Sequence, residues 1–471
     1  MGYVLINDFI GGVDRTRERY AAAQGTIWAG INGHISRGGD FEKRKAFQAW
    51  RALPEGETIG LARDADGLRV FGIAASVAGM PTEVTYTQIA HPTNPSLALE
   101  RVADWDLFNG LLYVIGKYDN GDHRHFYNGA NVSDWGAGGN NPAGFGTIVR
   151  THDRKVYSAY DSLLWFSELD SATNVDSTAS GSGFVNISNH QGGAGSVTAL
   201  GDFQDKLAIF ARSVVQIWTM EADDANNAPG QTLHGIGTRS PRTVQGFGEL
   251  DAFFLADTGV RSLRARSGTD IAGVDDVGTP IDPLIAEFIA DLTDTQIEQA
   301  HAVVDPQSGR YLLTIADRIF VFSYFPSKKV SAWTWYEPGL TFTDMVAHNG
   351  RLYARAGDTI YLYGGDDGET YDRCQVTLSM PFLAGGKPAT YKQIKAVDIA
   401  ARGTWSVKLL VNPNDENEYV DCGEISGVTY NLANVGAVGH ATHIAAVMVN
   451  EDDGAASVSQ FVIHNDGAES E

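Results

Sequence analysis

The stretch DKLAIFARSVVQIWTMEAD (205–223) decides how this chain is read. An apolar run, KLAIFA, meets a polar Arg-Ser pair and is followed by a second run, VVQIWTM. Short aromatic and aliphatic runs separated by a two-residue polar turn predict a β-hairpin. Outward from it the same phrase recurs: DADGLRVFGI (64–73), DLFNGLLYVIG (106–116), DRKVYSAY (153–160), GELDAFFLA (248–256), DPQSGRYLLTI (305–315) and AHNGRLYARA (347–356). The last is followed by a Gly-Asp turn and TIYLYG (359–364). Central strands are expected to begin near Leu68, Leu111, Val156, Leu207, Phe253, Tyr311 and Leu352. Their spacing averages about 47 residues, which is the length of a four-stranded propeller blade. A large sandwich, or two ordinary all-β domains, is the competing reading, because their strands also recur at short intervals. The longer superperiod favours an all-β fold with a β-propeller of about seven blades.

Four segments depart from the period. DPLIAEFIADLTDTQIEQAH (282–301) places Ile285, Phe288, Ile289, Leu292 and Ile297 near one face of a helix. Asp282 is its expected cap, Pro283 lies in its first turn, and a break is expected at 293–295. Such an insertion packs on its own domain or meets a partner. After Gly365 the phrase is lost, and period-2 strands at 370–384, 391–399, 404–411, 441–450 and 457–463 predict a C-terminal β-sandwich or barrel. The expected division is therefore 1–50, an N-terminal strand and basic arm joining the propeller; 51–366, the propeller with its helical insertion; and 367–471, a β domain with an acidic tail. Two glycine-rich stretches, 136–146 and 171–196, read as long loops.

Composition narrows the function. The chain has 471 residues and a formal net charge of -23, with 53 glycines and 10% aromatics. That acidity argues against gripping nucleic acid through its phosphates. No signal peptide and no run long enough to span a bilayer is expected. Cys374 and Cys422 are expected to be two buried thiols. Against the acidic background, Arg37, Lys43, Arg44 and Lys45 form the most basic segment, a candidate interface with an acidic partner surface or with phosphate. Phe288 and Ile289 are the corresponding candidates on the helix.

Catalytic signatures are missing from the sequence: there is no nucleophile elbow, phosphate loop, dinucleotide glycine motif or HExxH. His123 and His125 lack a third metal ligand, and Asp64, Asp66 and the DNGD at 119–122 read as turns rather than calcium loops. No catalytic residue, metal or cofactor is therefore expected. Trp105, Trp135, Trp165, Trp218 and Trp333 lie near repeated strands and read as packing residues, with sugar stacking as the alternative. A glycoside-cleaving or carbohydrate-binding propeller would need two carboxylates facing each other across an open pocket.

Several phrases carry a resemblance. DFIGGVDRTRERY (8–20), INGHISRGGDFEKRKAF (31–47), DKLAIFARSVVQIWTMEAD (205–223), GIGTRSPRTVQGFGELDAFFLADTGVRSLRA (235–265) and PATYKQIKAVDI (388–399) resemble the tail hub, nozzle or DNA-stabilisation proteins of tailed, mainly short-tailed, bacteriophages. The resemblance implies a propeller body and a virion location. It implies a six-membered ring of copies below the portal and its adaptor. Such a ring extends the DNA channel, helps retain packaged DNA and attaches other tail proteins, without an active site or a membrane. Duplex DNA would pass through without sequence-specific binding. An acidic ring suits that passage, because it repels phosphate. Two other readings stay open at this stage: the carbohydrate-active propeller and a general interaction scaffold.

Overall fold

The computed structural model describes residues 2–23, 25–132, 144, 146–171, 173–175, 181–190, 195–247, 251–265, 272–429 and 435–467. Trp135, most of 136–146 and parts of 171–196 lie outside the described residues, as does the end of the acidic tail.

Hairpin chemistry builds the first level of structure. In Asn109–Gly110 and Asn349–Gly350 both turn residues have positive φ, of 50° and 77° and of 48° and 71°. That geometry matches the right-handed twist of the flanking strands, and Asn and Gly adopt it at least cost. Asp153–Arg154 makes the same kind of turn, at 41° and 65°. The seven strands expected from the repeated phrase are all present, at Leu68–Gly72, Leu111–Tyr118, Lys155–Tyr160, Lys206–Phe210, Asp251–Ala256, Tyr311–Ile315 and Arg351–Ala356. Each is the second strand of a run that follows chain order within one sheet.

The expected architecture needs correction at the level of whole sheets. Among the described residues every sheet is open, and none closes on itself into a barrel or a propeller. The runs are uneven: the first has three strands, with Val84–Gln88 parallel to Leu68–Gly72, whereas five form four-stranded sheets. The sixth run, from His301–Val304 to Val330–Tyr336, is one end of a nine-stranded sheet. Among the described residues the C-terminal strands form no separate sandwich or barrel either. Val376–Ser379, Ala445–Asn450, Thr404–Leu410 and Tyr419–Ser426 complete the nine-stranded sheet. Lys392–Arg402, Val435–Ala441 and Ser457–Gly467 enter a six-stranded one. The fold is therefore an all-β array of open meanders joined to two composite sheets.

The N-terminal segment is the joint. Ala29–Ile31 lies between Val330–Tyr336 and Val376–Ser379 in the nine-stranded sheet. Gly33–Ile35 and Phe41–Lys43 form the edge of the six-stranded sheet beside Ser457–Gly467. Phe47–Ala52 completes the seventh run by pairing with Thr359–Tyr363. Residues 29–52 thus hydrogen-bond to strands from the middle and the end of the chain. One large core records this merging, with Phe9, Ile35, Phe41, Trp333, Trp405 and Phe461 in the same buried cluster. Two glycines of the quoted phrase are needed for close approach. A Cβ on Gly12, whose φ is +59°, would sit 2.6 Å from the Trp333 nitrogen, and one on Gly33 would overlap the Phe41 ring.

The helical insertion is shorter than expected. It forms α1 (Asp282–Ala290) and α2 (Asp294–Glu298), and His301 begins a strand. Asp282 is not a side-chain cap, because its carboxylate takes the guanidinium of Arg261 at 2.8 Å. Thr293 starts α2 with a capping box closed by Gln296. Ile285 and Ile297 are buried, and Phe288, Ile289 and Leu292 pack against the large core. The insertion therefore packs on its own chain.

Candidate functional site

The leading strand of each run is where the runs meet. Ile59–Arg63, Leu99–Phe108, Ile148–His152, Ala199–Phe203, Gln245–Phe247, His301–Val304 and Asp344–His348 lie next to one another in that order, and the last also contacts the first. Side chains from all seven line a cavity of about 340 Å³. Among the described residues no hydrogen-bond ladder crosses between the runs, so their leading edges need other partners.

Carboxylates supply them. Asp104 accepts the backbone N–H of Val149 at 3.0 Å. Two residues on, Asp106 accepts the N–H of Thr151 at 2.7 Å and its hydroxyl at 2.9 Å. The i, i+2 spacing places both acids on one face of the strand, facing the edge of the next run. That run reaches onward in turn, since Asp202 receives Arg150 at 2.5 Å and His152 at 2.8 Å. Arg242 pairs with Asp344 at 2.8 Å, Asp344 being buried and Arg242 partly so. Burial raises the Asp104 carboxyl to about 7, against the opposing pull of the Val149 N–H and Arg242. Burial also lowers His301 to about 4, helped by Arg242. The sequence reading missed the Asp104/Asp106 pair, although an Asp-Trp-Asp triplet inside an apolar strand was a visible signal.

A second cavity, of about 530 Å³, lies beside the first and shares Arg242 and His301 with it. Leu292, Gln296 and Gln299 bring the helical insertion to its wall. Among the described residues no group of three or more His, Cys, Asp or Glu side chains is placed to hold a metal. His125 is buried and hydrogen-bonds to the Gly146 carbonyl at 3.1 Å, while His123 is only partly buried. Asp64 is tied to its own turn by the N–H groups of Asp66 and Gly67, and it also receives Arg69. Trp165, Trp218 and Trp333 are packing residues, at most 6% exposed.

The candidate interface residues are not brought together as one surface. Lys43 is buried and donates to the Asp452 carbonyl. Arg44 is 1% exposed and grips Asp372 through two nitrogens, at 3.0 and 3.1 Å, with Asn32 bound at 3.0 Å. Lys45 pairs with Glu369 at 2.8 Å. Arg37 is exposed, with its guanidinium 5.1 Å from the Phe325 ring centroid. Phe288 lies under the guanidinium of Arg318 at 4.4 Å, and Ile289 beside it is half-buried. Cys422 is buried and Cys374 partly so, and both are free thiols.

No family model matches the chain, and no curated protein matches it. Among solved structures, it is similar to the extracellular domain of a one component system protein from B. thetaiotaomicron, at 9% identity and a TM-score of 0.38. That match covers 74% of this chain and 43% of the other, so the chain spans less than half of that structure's length. BamB from Moraxella catarrhalis matches at 9% identity and a TM-score of 0.34, covering 68% of this chain and 98% of that one. The WD40 beta propeller domain of Doa1 matches at 10% identity and a TM-score of 0.37, covering 69% and 98%. Likenesses this distant assign neither a family nor an activity.

Proposed function

We propose that this protein is a structural, non-catalytic component of a bacteriophage tail. In this reading copies of the chain form a ring, six-membered in the proteins it resembles, that continues the DNA channel and attaches neighbouring tail proteins. The observation that carries the reading is the use made of the phrase at 8–47. The residues that bear the resemblance are spent on framework: Gly12 against Trp333, Asn32 and Arg44 against Asp372 and Gln375, and four strands, the last beginning at Phe47, inserted into three sheets. A phrase of this kind encodes a joint between distant parts of the chain rather than a reacting group.

Electrostatics supports the same reading. The most basic segment is not a free phosphate-binding patch, because Lys43, Arg44 and Lys45 all have partners within the chain. The net charge of -23 then disfavours binding duplex DNA and favours letting it slide. Mass photometry of the purified chain with negative-stain electron microscopy tests the proposal. Closed rings with a central hole support it, and a monomer at every concentration overturns it.

A further inference from the structure

Five Asn-Gly pairs occur in the sequence: Asn32–Gly33, Asn109–Gly110, Asn120–Gly121, Asn128–Gly129 and Asn349–Gly350. Asparagine before glycine can react with its own main chain. The glycine nitrogen lies within reach of the asparagine amide carbon, and glycine carries no Cβ to obstruct the approach. The reaction needs two freedoms: a nitrogen that is not held in a hydrogen bond, and a side chain able to swing over it.

The fold treats the five pairs differently. Asn32 is 4% exposed, and its amide is in use at both ends. Its Nδ2 donates to the Gln375 carbonyl at 2.8 Å, while its Oδ1 accepts from Arg44 at 3.0 Å and from the Glu337 N–H at 2.9 Å. Asn120 is exposed, but both reacting groups are held. The Gly121 N–H donates to the Tyr118 carbonyl at 2.9 Å, and Asn120 Oδ1 accepts the Asp122 N–H at 3.0 Å. The other three pairs stand at the tips of two-residue hairpin turns, where Phe108 is opposite Leu111, Tyr127 opposite Ala130 and His348 opposite Arg351. All six residues of these turns are exposed. Among the described residues, neither the asparagine side chains nor the glycine nitrogens of the three turns have a hydrogen-bond partner.

We propose that Asn109, Asn128 and Asn349 are sites of spontaneous deamidation, and that the fold protects Asn32 and Asn120. The glycine nitrogen attacks the asparagine Cγ. Ammonia leaves, taking the side-chain nitrogen and the proton of the glycine N–H, and a succinimide ring closes. Water adds at one of the two ring carbonyls and opens the ring to aspartate or isoaspartate, so one water is consumed for each ammonia released. Each conversion adds a carboxylate to a chain of net charge -23. An Asp-Gly turn still suits the hairpin, whereas isoaspartate lengthens the main chain inside a two-residue loop. These sites go beyond the tail-component reading and do not depend on it.

Peptide mapping by mass spectrometry, with isoaspartate resolved from aspartate, tests the assignment after incubation of the full chain in mildly alkaline buffer. In the folded chain the three turn sites are expected to convert at least about tenfold faster than Asn32 and Asn120. In urea the five rates should converge, because only the fold distinguishes the pairs. Equal rates in the folded chain, or conversion led by Asn32 or Asn120, overturns the proposal. So does a spread of rates that persists after unfolding, or conversion at the three turns only in the unfolded chain.

Discussion

Arg44 shows how burial changes the meaning of a charge. In the sequence it stands in a basic run beside Lys45, and charge reversal at the two positions is expected to weaken assembly while leaving the monomer folded. In the structure the two residues differ. Arg44 is buried with a two-pronged bond to Asp372, whereas the partner of Lys45 is largely exposed. Arg44→Glu should therefore destabilise the fold by about 3 kcal/mol, somewhat less than a fully buried pair because Asp372 is partly solvated. Lys45→Glu should cost about 0–1 kcal/mol. Urea unfolding of the two variants checks the contrast, and equal midpoints would contradict it. Asp104 gives a second test. The unfolded chain ionises this carboxyl near 3.8, while the folded chain keeps its proton to about 7. Stability from this group thus falls as pH rises from about 4 to 7. Asp104→Asn should gain on the unaltered chain across that window, by up to a few kcal/mol. The buried histidines act in the opposite sense. His34 and His301 fall to about 4 and His125 to about 3, so the stability they contribute is present above 6.5 and lost as pH falls toward those values. A difference between D104N and the unaltered chain that stays constant with pH would refute the Asp104 assignment.

At the scale of elements, local signals were legible and non-local ones were not. The seven central strands begin close to the positions the repeated phrase marks, because a polar turn followed by an alternating or apolar run is a local instruction. The helical stretch was visible, but its division after Ala290 was not placed correctly, and Asp282 was taken for a cap when Arg261 claims it. Thr293, with Gln296 three residues on, is the capping signal that fixes α2. Thr293→Ala should cost about 1 kcal/mol, read as a lower thermal midpoint, with little effect expected from Asp294→Asn at the exposed neighbouring position. The strands at 29–52 carried no sign of their partners. Their pairing with residues hundreds of positions away depends on which edges the rest of the chain leaves open, and that information is spread over the whole sequence. The same reason hid the fate of the C-terminal strands, read as a separate domain and found in two shared sheets. The carboxylates of Asp104 and Asp106 lay in plain view, yet their role required knowing that the edge of Ile148–His152 faces them.

For the whole molecule, glycine content predicts many turns, and net charge predicts weak affinity for nucleic acid. The turns are present, and open sheets joined by an N-terminal segment replace the expected closed architecture with its separate barrel. The joint predicts its own behaviour. Amides in 29–35 and 41–43 should exchange as slowly as those of the central strands, despite their place near the chain start, because releasing them opens both composite sheets. Hydrogen exchange read by mass spectrometry checks this, and early exchange there would show that the segment is peripheral. The charge makes a second prediction: duplex DNA should show no retardation with the purified chain at physiological salt. The central claim, that the chain is built to assemble into a tail channel and not to catalyse, is tested most directly by electron microscopy of the purified protein. Closed rings are expected, with a hole wide enough to pass duplex DNA and lined by net negative potential. Monomers at all concentrations, or rings with a strongly positive lumen, would contradict it.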